Sequence, residues 1–405
     1  MINVSEICKG YLTSDILGVG GVIKETPEDF VVTEIPAYEP SGSGEHLYLT
    51  IEKRGITTLE AIRRVAQELK ISEKEIGYAG MKDAVGVTRQ RISLLKIKAE
   101  DVAGRDLNGV KVLDAVRHGN KLKIGHLKGN RFRIVVRGVF ANSYNSVSSI
   151  MGVLITHGVP NWFGYQRYGI QGNSHLIGYA MLQKDWQAAV DSLIGTSHSI
   201  MDDDWKSAIN SYKQGRYLVA FRQMPKHCRS ERDILQRLIS KPDQYEKAFS
   251  AVHPRLKKLY LAAYQSSLFD KVVNLRLAEL DQIWQGDLAW KHLNGSCFMV
   301  EDIAVDSERA AQFEISATGP MFGCRMKQPA GRQLLLEQQV LADANIAHDA
   351  FDLGGGLSVE GERRPLRVPL GEPVFQFEGD ALILEFTLPK GCFATSVVRE
   401  FTKNF

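Results

Sequence analysis

The segment Gly77-Tyr78-Ala79-Gly80-Met81-Lys82-Asp83 sets an acid beside a base in a glycine-punctuated stretch. With Lys82 adjacent and Lys24 as a second candidate cation, the ionised form of Asp83 is favoured. That suits an acid that attacks or takes a proton rather than donates one. A second group is Gly129-Asn130-Arg131-Phe132-Arg133. An amide, a ring and two guanidinium groups together offer hydrogen bonds to a base edge, a stacking face and phosphate contacts. The plainer alternative makes Phe132 core and Asn130 a turn residue. The third is Leu388 to Glu400 (LPKGCFATSVVRE), where Phe393 precedes a helix and either staples it or lines a cleft.

Other chemistries find less support. Gly18-Val19-Gly20-Gly21 and Gly354-Gly355-Gly356 match neither a dinucleotide fingerprint nor a phosphate loop, and no G-x-S-x-G elbow is present. The five cysteines, Cys8, Cys228, Cys297, Cys324 and Cys392, are widely spaced without a C-x-x-C pair. The ten histidines show no H-x-x-x-H spacing. Neither a disulfide framework, a metal nor a redox cofactor is expected.

Regular elements must position these groups. Gly20 to Pro36 reads as two short strands around a Thr-Pro-Glu-Asp bend, and His46 to Glu52 alternates as a half-buried strand. Thr57 and Glu60 have capping-box spacing, and Ile62, Val65, Ala66 and Leu69 then recur at helical intervals. Strands are predicted over 91–98, 110–117, 121–126 and 131–139, close enough together for an antiparallel sheet, and a helix over 143–157. Longer helical stretches follow at 178–195, 202–222, 230–250 and 254–281, and strand signals thin out until Gly371. Ala381 to Leu388 is a strong strand, and Phe393 to Phe405 a terminal helix capped near Thr395 or Ser396. A strand returning after a helical stretch implies an α+β domain into which a mostly helical domain is inserted.

At 405 residues, 44% hydrophobic and 24% charged, the chain suits two or three globular domains. No run approaches the roughly 18 apolar residues of a membrane helix, and residues 1–6 do not resemble a signal peptide, so a cytoplasmic protein is expected. The net charge of +3 conceals a local swing. Residues 1–60 carry four basic and ten acidic side chains, residues 61–137 eighteen and eight. Within 111–137 only Asp114 opposes eight basic residues, which makes a polyanion a candidate partner and a solvated sheet face the alternative.

Five ordered blocks resemble the TruD family of pseudouridine synthases. They are Lys24 to Phe30, Gly77 to Asp83, Gly125 to Phe132, Gly158 to Gly169 (GVPNWFGYQRYG) and Gly391 to Glu400. The resemblance implies isomerisation of uridine to pseudouridine in transfer RNA, at uridine 13 of the D-arm, without cofactor or metal; a monomer is expected. It implies Asp83 as the catalytic carboxylate, Phe30, Asn130 and Phe393 as substrate contacts, and Lys24, Lys82 and Phe132 in support, with the aromatics converging on one cleft. It further implies a V-shaped α+β fold. A catalytic pseudouridine-synthase domain with an antiparallel sheet, residues 1–160 and 366–405, is interrupted by a mostly helical α+β TruD insertion domain, residues 161–365. Residues 180–255 depart from the family pattern in being longer and more helical than in its shorter bacterial members. An RNA-binding or RNA-refolding protein that keeps the fold without turnover is the alternative function.

Overall fold

The computed structural model describes residues 10–169, 171–195, 200 and 202–404, so Cys8 and Phe405 lie outside the described residues. The chain divides into two compact units, one of Thr13–Val159 and Val368–Phe405, the other of Met1–Leu12 and Pro160–Arg367.

In the first unit β1 (Gly20–Ile23) and β2 (Phe30–Pro36) flank a single 3-10 turn at Pro27–Asp29. After β3 (His46–Arg54) comes helix α1 (Thr58–Leu69), started by the Thr57 hydroxyl, which accepts the Glu60 N–H at 3.1 Å. Only this half of the capping box forms, because the Glu60 carboxylate turns to Arg63 and Arg64. The helix buries Ala61, Ile62, Val65 and Ala66 against Leu47, Leu49 and Ile51 of β3. Each large aliphatic side chain so buried contributes about 1.5–3 kcal/mol.

The chain continues through β4 (Gly77–Tyr78), β5 (Val87–Leu95), β6 (Val110–His118), β7 (Leu127–Val139) and α2 (Tyr144–His157). Residues 121–126, expected as a strand, form a loop. Their N–H groups serve other partners, Leu122 donating to Ser93 Oγ at 3.0 Å and Gly125 to the Ala79 carbonyl at 2.8 Å.

The second unit is mostly helical: α3 (Ser174–Leu182), α4 (Trp186–Ile194), α5 (Asp203–Lys213), α6 (Tyr217–Gln223), α7 (Arg229–Ser240), α8 (Tyr245–Phe249) and α9 (Pro254–Leu275). Two of the expected long stretches, 178–195 and 202–222, are broken where the backbone turns left-handed, at Lys184 (φ 55°) and Gly215 (φ 72°). Strands also occur at positions where none was predicted, in keeping with the α+β character that the resemblance implied. β8 (Leu288–Lys291), β9 (Cys297–Met299), β10 (Ile315–Met321) and β11 (Glu362–Pro365) form a sheet in the order β9-β8-β10-β11, with α10 (Ile303–Ala311) and α11 (Gly331–Asp343) between them in sequence. These strands are short, and β10 is buried along its whole length, so it lacks the alternation that betrays a half-buried strand. None of the described helices is long and apolar enough to cross a membrane.

The chain then re-enters the first unit as β12 (Gly371–Glu378), β13 (Ala381–Pro389) and α12 (Ala394–Thr402). Phe393, rather than Thr395 or Ser396, occupies the N-cap of α12, and no side chain caps it. The large sheet runs β12-β13-β7-β2-β5-β3-β6, with β1 on β7 and β4 on β5. Its pairs are antiparallel except β2 with β5, where Val31 faces Val87 in parallel register. Parallel strands begin at the same edge, so the turn before β2 and the loop before β5 emerge side by side.

Inside the second unit Arg276 and Asp287 form a fully buried pair, with Nη1 to Oδ1 at 3.1 Å and Nη2 to Oδ2 at 3.2 Å. Removing one member leaves an uncompensated charge. Asp287→Ala should therefore lower unfolding stability by about 3–5 kcal/mol in denaturant melts, and adding Arg276→Met should recover most of the loss.

Candidate active site

Asp83 lies in the loop between β4 and β5, and its Oδ2 accepts Lys24 Nζ at 2.5 Å. Its Oδ1 accepts the Val85 N–H at 3.2 Å. Lys24 comes from the turn after β1, and its ammonium also stands 4.2 Å from the centre of the Phe30 ring. Acid, cation and aromatic face are thus joined through one ammonium, as the parallel start of β2 and β5 allows. Lys24 takes φ 63°, a left-handed backbone that costs a residue with a Cβ roughly 1–2 kcal/mol. Asp29 holds this turn in place. It is buried, accepts the Thr26 N–H at 2.9 Å, and is gripped by Arg137 of β7 through Nε at 3.0 Å and Nη2 at 2.6 Å. The Arg137 guanidinium keeps the Asp29 carboxyl below its ordinary value of 3.8, against the opposing effect of burial.

Beside this group Lys82 points inward. Its ammonium meets Glu34 Oε2 at 2.8 Å and Asn130 Oδ1 at 2.7 Å, with Lys82 and Glu34 both buried. An ammonium only donates, so the amide of Asn130 turns its oxygen to Lys82 and leaves its two N–H donors to meet an acceptor. Glu34 and Asn130 are register partners on β2 and β7. Phe132, two residues along, meets Phe30 edge-on at 6.3 Å and Phe386 at 5.4 Å. Phe393 is half-buried at the start of α12, just beyond Pro389, which is paired with Gly129.

The strand pleat divides the Asn130–Arg133 motif. Asn130 and Phe132 face one side of the sheet, Arg131 and Arg133 the other. There Arg131 pairs with Glu372 at 2.5 Å and Arg133 lies 3.6 Å from Glu385. Amide, ring and arginines do not act together, and the basic stripe of 111–137 is in part neutralised by acids.

One further cation lies close by. Lys53, at 1% exposure, donates to the main-chain carbonyls of Ile56 at 2.5 Å and Asp83 at 2.8 Å. Burial pushes its ammonium down to about 8, with the Asp83 carboxylate resisting and Lys82 adding to the shift. The start of α1 holds the same loop elsewhere: Gly55 N–H donates to the Gly86 carbonyl at 3.1 Å, and Lys82 N–H to the Thr58 hydroxyl at 2.8 Å. Gly86 (φ 146°) admits no side chain, since a Cβ would stand 2.4 Å from the Phe30 carbonyl.

A family model described as tRNA pseudouridine synthase D (TruD) matches residues 6–401. The chain belongs to the TruD family. It is 56% identical to the tRNA pseudouridine synthase D of Geotalea daltonii over 97% of this chain and 99% of that one. It is 36% identical to that of Thermus thermophilus over 97% and 92%. A Methanosarcina mazei crystal structure assigned to TruD superposes with a TM-score of 0.84 at 26% identity, over 98% of each chain. In this TruD chain, sequence reasoning missed Glu34, Asp29, Arg137 and Lys53. Glu34 and Lys53 carried a signal, since each stands where strand alternation places a core side chain, after Phe30 and Val32 in one case and after Leu47, Leu49 and Ile51 in the other.

The lowered titration of Asp29 gives a test of the turn. Its contribution to stability is present above the unfolded value and lost as pH falls through the folded one. In urea melts the lead of the wild type over Arg137→Met should hold above about pH 4 and shrink below it. A lead that stays constant into stronger acid would show that the pair does not hold the turn.

Proposed function

We propose that this TruD-family chain isomerises uridine 13 in the D-arm of transfer RNA, with Asp83 as the reacting carboxylate. The observation that carries the reading is the Asp83 carboxylate held between Lys24 and a loop anchored to α1, next to an amide whose acceptor is already engaged. The base must leave its stack to reach such a group. In the reaction the C1′–N1 bond breaks with its electron pair going to the uracil, the base turns, and C5 joins C1′. C5 then loses its proton and N1 gains one. Asp83 can enter at C1′ or take the 2′-proton, and both roles need the ionised carboxylate that Lys24 favours.

Asn130 supplies recognition. With Oδ1 bound to Lys82, the amide presents N–H donors, which match a uracil carbonyl and repel the amine that cytosine carries at the same edge. Phe30 and Phe393 contact the substrate, and Phe132 backs Phe30. On this reading the unit of Thr13–Val159 and Val368–Phe405 is catalytic, Pro160–Arg367 is the insertion, and a monomer works in the cytoplasm without cofactor or metal.

Purified protein with an unmodified transfer RNA transcript should form pseudouridine at one position, read by carbodiimide-stopped primer extension. Asp83→Asn should form none, and product at an undiminished rate would refute the role of Asp83. Asn130→Asp, which places a carboxylate at the base edge, should lower the rate about 10–100-fold, the worth of a lost recognition pair. Binding should be salt-dependent. Reversing the exposed Lys123 and Lys128 should each reduce the salt slope by about 1, whereas reversing the acid-paired Arg133 should change it less.

A further inference from the structure

Lys53 takes no part in the reaction as drawn, yet its ammonium donates directly to the main-chain carbonyl of Asp83 at 2.8 Å. It stands on the α1 face of β3, in the row of Leu47, Leu49 and Ile51, where alternation calls for an apolar side chain. Keeping an ammonium there is costly, and a methionine would fill the same volume without that cost. Its two hydrogen bonds join the Ile56 carbonyl, one residue before the cap of α1, to the carbonyl of Asp83 itself. The other ties from the start of α1 hold Lys82 and Gly86, on either side of Asp83.

We infer that Lys53 is a positioning residue for the isomerisation: its buried ammonium fixes the main chain of Asp83 to the start of α1 and lays a positive charge beneath the carboxylate. This rests on Asp83 being the reacting carboxylate. Among the described residues the charged groups facing Lys53 are Asp83 and Lys82, both from the loop before β5. Its strand neighbours Thr88 on β5 and Val110 on β6, and Ile56 before α1, carry no charge. The ammonium persists below about 8 and is lost above it. The rate therefore falls as pH rises through that value.

The test uses the full chain and the transfer RNA transcript, with Asp83→Asn, Lys53→Met and Lys53→Arg in parallel. Lys53→Met should melt no lower than the wild type and keep KM and RNA affinity within about twofold. Its single-turnover rate should be about 10–100-fold lower, the scale of a small misplacement of a reacting group. The wild-type rate should decline above about pH 8, Lys53→Met should lack that limb, and Lys53→Arg, which stays protonated, should carry its rate to higher pH. A Lys53→Met rate equal to wild type would overturn the inference. Should that variant not fold, a wild-type rate constant from about pH 7 to 9.5 would overturn it instead. Activity in Asp83→Asn would remove the premise, whereas an inactive Asp83→Asn beside a fully active Lys53→Met would remove this inference alone.

Discussion

A carboxylate that is to act on a nucleoside has to stay ionised while protein replaces much of its water, and that requires cations held at fixed distances. Around Asp83 the chain provides Lys24 on the carboxylate, Lys53 on its main-chain carbonyl and Lys82 in the next position along the loop. Each comes from a different part of the fold, so the site exists only when β1, β3 and the loop before β5 are all in place. The parallel pairing of β2 with β5 brings these segments to one edge. An antiparallel pairing there would send the Lys24 turn and the Asp83 loop to opposite ends of the sheet.

The three lysines are held in different ways. Lys24 keeps partial access to solvent and takes a left-handed backbone, which the Asp29–Arg137 pair stabilises from outside. Lys82 is buried but matched by Glu34, and the pair has a use beyond neutralising itself because it orients Asn130. Lys53 is buried deepest, and both its hydrogen bonds among the described residues end on carbonyls. The strands around them are correspondingly apolar, with Leu47, Leu49, Ile51 and Ile92 fully buried, so this polar cluster caps a core that already holds together. Arg131 and Arg133, by contrast, serve the sheet's other face by pairing with Glu372 and Glu385.

What was legible in the sequence followed from local signals. The Thr57 cap, the 3.6-residue pattern of α1, the alternation of β3 and the apolar run of β13 each reside in a short window, and the structure reproduces them. Asp83 stood out because acid and base are adjacent in a glycine-flanked loop. Glu34 and Lys53 escaped because a charged residue in a strand is ordinarily read as facing solvent, and only tertiary contacts reveal it facing the core. The strand expected at 121–126 failed because its N–H groups are taken by Ser93 and Ala79, partners distant in sequence. The sheet of the second unit was invisible for a related reason: β10 is buried on both faces and so shows no period. The arginines beside Asn130 were misplaced by treating neighbours in sequence as neighbours in space, although the period of two along β7 separates them.

The most direct measurement is the structure of the protein bound to a transfer RNA whose target uridine is replaced by 5-fluorouridine. The account predicts the base drawn out of its stack, the Asn130 amide donating to a uracil carbonyl, and an Asp83 carboxylate oxygen bonded to the nucleoside or within about 3.5 Å of its C1′ or 2′ position. A base still stacked in the RNA, or one extruded to a place where Asp83 touches only its lysines, would contradict it.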